Sequence, residues 1–66
     1  MTLKVNGEAI TCKENATLSE VIAMLRLQGK VMAAAVNMNI VKQDQWEAYT
    51  LHEDDSIELL DFVGGG

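Results

Sequence analysis

The sequence predicts an α+β fold: a mixed sheet of four to five strands packed on one main helix, ordered ββαββ with a short helical turn before the last strand. Three observations carry that prediction. An alternating segment breaks at Asn6-Gly7, a single capped amphipathic segment follows Thr17, and two further apolar segments run over 31–36 and 56–63. With 66 residues and 7.2 kDa there is room for one domain only. A chain this short buries about 60% of the surface its unfolded form exposes, so deep substrate pockets are not expected.

In the first element Leu3 and Val5 alternate with Thr2 and Lys4 and stop at Asn6-Gly7, a dipeptide suited to the two positive φ angles of a type I′ turn. The returning strand is expected from Glu8 to Lys13, with Ile10 and Cys12 on one side and Ala9 and Thr11 on the other. Cys12 reads as a small core residue rather than a nucleophile, because nothing near it in sequence lowers its pKa.

Thr17-Leu-Ser-Glu20 has the spacing of a capping box, with Thr17 as N-cap and Glu20 at N3. Leu18, Val21, Ile22 and Leu25 then form one helical stripe, and Gly29 stands where a glycine would end the helix. Met24 and Leu27 either extend that stripe or stand exposed. Val31–Val36 is apolar without alternation, which fits a strand covered on both faces or a continuing alanine helix. Gly29 before it and the Asn37-Met-Asn39 turn after it favour the strand. Ile40-Val41 reads as a short strand and Gln43–Trp46 as a polar or helical turn that carries Trp46 back onto the core. Tyr49 and Leu51 lie on a connecting stretch, and His52–Asp55 forms an acidic turn before the final strand.

Period two in Ser56–Val63 separates Ile57, Leu59, Asp61 and Val63 from Ser56, Glu58, Leu60 and Phe62. Only one of these sets can pack under a single helix. With Ile57 and Leu59 inward, Leu60 and Phe62 stand on the outer face and predict an apolar docking patch beside the last residues. Gly64-Gly65-Gly66 closes the sequence. Fixing each such residue costs on the order of 1–2 kcal/mol of backbone entropy, so residues 64–66 are expected as a mobile tail on a domain of residues 1–63. From Val63 the tail reaches about 13 Å at ~3.3 Å per residue, enough to lead the Gly66 carboxylate into another protein's active site. Without Cβ atoms it can pass a narrow channel.

A carboxylate is a poor electrophile and must be activated, for example as an acyl-adenylate that a sulfur nucleophile then attacks. The sequence has no Gly-x-x-x-x-Gly-Lys-Ser/Thr loop for ATP, so the activating machinery would belong to a partner, with no cofactor bound here. Other chemistries are disfavoured by counting. One cysteine excludes an internal disulfide and an iron–sulfur centre, which takes about four thiolates. His52 stands without a second imidazole, so no metal site is expected. A net charge of −5 opposes nucleic acid and anionic lipid, and no segment approaches the ~18 apolar residues of a membrane span. The N-terminus lacks the pattern of a signal peptide, and the expected compartment is the cytoplasm.

Taken together, Val5-Asn6-Gly7, Thr17-Leu18, Ala35-Val36-Asn37, Ile40-Val41 with Trp46, Asp55-Ser-Ile57 and Val63-Gly64-Gly65-Gly66 resemble the ThiS family over essentially the whole length. These are the sulfur carriers of thiamin thiazole biosynthesis, within the ubiquitin-like β-grasp superfamily. The resemblance implies a β-grasp fold and a protein substrate rather than an enzyme. It implies adenylation of Gly66 by the E1-like enzyme ThiF at the expense of ATP, and conversion to a thiocarboxylate with sulfur from a cysteine desulfurase route. The sulfur would then be used by the thiazole synthase ThiG. Leu60, Phe62 and Val63 would form the partner contact, with Glu58 and Asp61 pairing with basic partner residues. Two positions depart from the family pattern: Lys42 where proline is frequent, and Asp54 where glycine is frequent, which asks Asp54 to adopt a left-handed conformation. The competing readings are a molybdopterin synthase small subunit and a ubiquitin-like module that binds partners without being modified.

Overall fold

The computed structural model describes residues 1–61; Phe62, Val63 and the Gly64–Gly66 tail expected from the sequence lie outside the described residues. Five strands form one sheet: β1 (Thr2–Val5), β2 (Glu8–Thr11), β3 (Val31–Val36), β4 (Asn39–Val41) and β5 (Ser56–Asp61), in the spatial order β2-β1-β5-β3-β4. β5 is therefore central. It pairs parallel with β1 and antiparallel with β3, and each of those neighbours carries its own hairpin partner. One helix, α1 (Leu18–Met24), supplies the second layer of the α+β architecture.

Both hairpin turns follow from local chemistry. Asn6 and Gly7 have φ of 51° and 87°, the two positive values of a type I′ turn, and β2 ends at Thr11 rather than Lys13. Asn37 and Met38 repeat the geometry at 51° and 71°, so a methionine occupies a position that glycine fills without strain.

The capping box of α1 forms as the spacing predicts. Thr17 accepts from the Glu20 backbone N–H at 3.2 Å, and Glu20 accepts from the Thr17 backbone N–H at 2.9 Å. The end of α1 differs from the expectation. Arg26, at φ 62°, takes the left-handed position that ends the helix; its N–H reaches Ala23 O and the Leu27 N–H reaches Ile22 O, the two bonds of a Schellman motif. Leu25 is thus the C-cap, half-buried, and Gly29 serves the following turn, which Lys30 N–H closes onto Leu27 O. Leu27 packs against the core, and Met24 is exposed.

β3 is a strand but is not covered on both faces. A register shift between Val31 and Ala33 makes Met32 the extra residue of a bulge, which explains the missing alternation: Val31, Ala34 and Val36 are buried, while Met32 is exposed and Ala33 and Ala35 are half-buried.

The core joins Leu3, Val5 and Val36 from the sheet to Leu18, Val21 and Ile22 from α1, with Leu51 and Trp46 closing one side. Trp46 follows the 3₁₀ turn Gln43–Gln45 and donates its indole N–H to Val41 O at 2.9 Å, satisfying the one polar atom it buries. Ile10 and Cys12 are only half-buried at the edge of this core. Ala16, just before the helix cap, is 2% exposed and accepts from the Leu51 N–H.

Candidate functional site

The site is built on β5 and the face of the sheet opposite α1. Ile57 and Leu59 are buried at 0% and 7% exposure, while Leu60 is 57% exposed. Glu58 and Asp61 are also exposed. The split into an inward Ile57/Leu59 pair and an outward Leu60 thus follows period two, whereas Asp61 lies in solvent beyond the last buried residue of β5.

Sheet register assembles the neighbours of Leu60. Ala33 stands opposite Leu60 across β3·β5; Ala35 stands opposite Glu58 on one side and Ile40 on the other. Ile40 is 76% exposed. Because the two alanines project no bulk beyond Cβ, the sheet surface dips between Ile40 on β4 and Leu60 on β5, and Ala33, Ala35, Ile40, Glu58 and Leu60 line the resulting shallow depression. The reading of the last strand alone missed Ile40 and the alanines. A two-residue turn at Asn37-Met38 would have set the register that places them there.

Two asparagines hold β5 between the hairpins. At its start, Asn37 Oδ1 accepts from the Ser56 N–H at 3.0 Å, and the Asn37 N–H reaches Ser56 O at 2.7 Å. Asn37 Nδ2 donates to Asp55 Oδ1 at 2.9 Å, and Asp55 Oδ2 accepts the His52 N–H at 2.8 Å, tying the acidic turn to the β3–β4 hairpin. Asp54 takes the left-handed conformation expected of it, with φ 68°. Further along, Asn6 Oδ1 accepts the Leu59 N–H at 2.9 Å and Asn6 Nδ2 donates to Leu59 O at 3.3 Å. Both residues open type I′ turns, and the second use of each carboxamide is set by the sheet order rather than by the hairpin.

Of the residues expected at the site, the structure brings together Glu58, Leu60 and Asp61 at the end of β5; Phe62, Val63, Gly64, Gly65 and Gly66 lie outside the described residues. Neither Glu58 nor Asp61 makes an ion pair among the described residues. No three His, Cys, Asp or Glu residues among those described stand close enough to hold a metal. No helix among them is long and apolar enough to cross a membrane. On the α1 side, Cys12, Lys13, Ala16, Glu20, Val21 and Met24 line a second groove. There the Thr17 N–H, and after it Lys13 at 3.1 Å, hold the Glu20 carboxyl below its ordinary range.

This geometry sits in a chain with close relatives. A family model described as the ThiS family matches residues 3–66. The sulfur carrier protein ThiS of Bacillus subtilis is 29% identical over 65 residues, covering 97% of this chain and 98% of that protein. The crystal structure of the thiamine biosynthesis protein ThiS from Geobacter metallireducens has a TM-score of 0.82 to this fold at 28% identity, with both chains covered in full. A thiazole synthase of Magnetococcus marinus is 32% identical over 66 residues, which are the whole of this chain and 20% of that protein.

Proposed function

The chain belongs to the ThiS family, and on that footing we propose that it is a sulfur carrier, a protein substrate rather than a catalyst, whose reacting group is the Gly66 carboxyl. The observation that carries this reading is the placement of the last strand. β5 is the central strand, held on both sides, and it sets the exposed Leu60 in the lining of an apolar depression, six residues before Gly66 in sequence. Five residues follow Asp61 and span at most about 17 Å when extended. A protein that takes Gly66 into its active site is therefore held within that distance of Asp61, in reach of the Leu60–Ala33 end of that depression.

The chemistry needs two activations, both supplied by partners. A Gly66 carboxylate oxygen attacks the α-phosphorus of ATP, and pyrophosphate leaves, giving an acyl-adenylate; the E1-like enzyme ThiF is the catalyst the family uses. The terminal sulfur of a persulfide, charged by a cysteine desulfurase route, then attacks the acyl carbon, and AMP leaves with the bonding pair. The product is an acyl disulfide. A thiol reductant supplies the two electrons that cleave its S–S bond, leaving the thiocarboxylate. The chain's own contribution is recognition: the depression for apolar partner residues, with Glu58, exposed on the same face, and Asp61, exposed at the end of β5, for basic ones, which raises on-rate and fixes orientation.

Thiazole synthase is the proposed acceptor of the sulfur. Two proteins bearing that name contain a segment similar to this whole chain within 20% of their own length, which supports thiazole synthase as the partner. The test is pyrophosphate exchange into ATP by the E1-like enzyme. Exchange is expected with the intact chain and lost when Gly66 is deleted or one residue is added after it; exchange that survives both changes would show that another group reacts.

A further inference from the structure

The hydrogen bonds on the β1 side of β5 single out one residue. β1 pairs with β5 only at Lys4–Ser56 and Val5–Ile57, and the last backbone bond on that side runs from the Asn6 N–H to Ile57 O at 2.9 Å. Beyond it the chain turns away through Asn6-Gly7, and Leu59 is left with an N–H and a C=O facing no strand. The Asn6 carboxamide meets both, accepting at 2.9 Å and donating at 3.3 Å. An amide carries one acceptor and one donor group in a plane, so this side chain imitates the next peptide unit of β1. On the opposite side, the same end of β5 pairs with β3 where its register slips, between Val31 and Ala33. A bulge leaves a residue unpaired and weakens the ladder locally. The β3 ladder is thus regular up to Leu60 and interrupted just beyond it, while on the β1 side the Leu59 peptide is held by Asn6.

We infer that Asn6 is a positioning residue for partner docking in the carboxyl-terminal reaction: its carboxamide holds the Leu59 peptide in strand geometry and so presents Leu60, the next residue, on the docking face. The inference rests on the carrier reading. Asn6 touches no reacting atom and acts only through Leu59. When the clamp is removed, the partner must re-order the freed end of β5 as it docks, and re-ordering a single backbone residue weakens docking by about 5- to 30-fold. The loss falls on KM, because the chain that finally enters the active site is unchanged.

Asn6→Gly separates the clamp from the turn, since glycine keeps the positive φ of 51° and loses the carboxamide. Asn6→Asp keeps the acceptor for the Leu59 N–H and places a second acceptor against Leu59 O, so it should fall between glycine and the native residue. Steady-state adenylation by the E1-like enzyme, with hydrogen exchange at Leu59, is the experiment. In N6G we expect KM to rise about 5- to 30-fold with kcat changed less than about threefold. Exchange at Leu59 should quicken while exchange at Leu51, bonded to Ala16 O, stays slow and reports an intact core. If Leu59 exchange quickens and KM stays within about twofold of the native value, the clamp is merely structural and the inference is overturned. A slow Leu59 amide in N6G overturns it as well, because the clamp would not hold that peptide. A native chain that is never adenylated would instead overturn the carrier reading.

Discussion

Leu59 and Leu60 are neighbours on one strand with opposite fates, and substituting each by alanine separates fold from recognition. Leu59 is 7% exposed in the core and Leu60 is 57% exposed on the depression. Truncating a buried leucine costs about 2–5 kcal/mol. A domain of 66 residues has a total stability of about 3–10 kcal/mol at 0.05–0.15 kcal/mol per residue, so Leu59→Ala should remove a large share of it. Leu60→Ala should cost less than about 1 kcal/mol, since more than half of that side chain is already in water. Its effect belongs to binding. Full burial of a leucine is worth about 1.5–3 kcal/mol, and the 57% that a partner can still cover is worth about 0.9–1.7 kcal/mol. That corresponds to about 4- to 16-fold in Kd. Urea denaturation reads the first quantity; calorimetric titration with thiazole synthase and with the E1-like enzyme reads the second. A Leu60→Ala chain that binds both partners with native affinity, or that unfolds as Leu59→Ala does, would refute the assignment of the two faces.

Met38→Gly should stabilise the domain by about 1 kcal/mol and raise Tm by a few degrees, because Met38 is 90% exposed, loses no packing, and leaves a φ of 71° that glycine adopts freely. Thermal melts of both chains check it. Trp46→Phe should destabilise by about 1–2 kcal/mol by leaving Val41 O without its 2.9 Å partner in a buried setting, a loss that urea denaturation measures. Glu20 is held below its ordinary carboxyl range in the fold, so its contribution is present above the unfolded glutamate pKa and is lost as pH falls through the lower, folded value. The stability difference between the native chain and Glu20→Gln should therefore shrink as the solution is acidified from neutrality; a difference that stays constant or grows would contradict the role given to the Thr17 and Lys13 contacts.

Much of this was legible because the signals are local. Asn6-Gly7 and the Thr17–Glu20 box each determine a geometry within four residues, and the structure forms both. Period two in 56–61 sorted Leu59 from Leu60 because one helix can cover only one face. The misreadings share a different cause. Gly29 drew the helix end toward itself, yet α1 ends at Met24, because Arg26 takes the left-handed position and the Schellman bonds form there while Ile22 is buried and Leu27 packs against the core. β3 looked doubly covered because a bulge at Met32 erases alternation, and nothing local announces a bulge without glycine. The asparagine clamps were beyond a local reading altogether. Asn6 and Asn37 look like turn residues until the order β2-β1-β5-β3-β4 places the same strand beside both.

In the proposed sulfur-carrier role the Gly66 carboxyl is the group that changes. Intact-mass analysis of the chain after incubation with ATP, the E1-like enzyme, a persulfide donor and a thiol reductant tests that most directly. The expected result is a gain equal to replacing one oxygen by sulfur, confined by fragmentation to Gly66. An unchanged mass while the same enzyme modifies a known carrier, or a sulfur found on Cys12 instead, would contradict it.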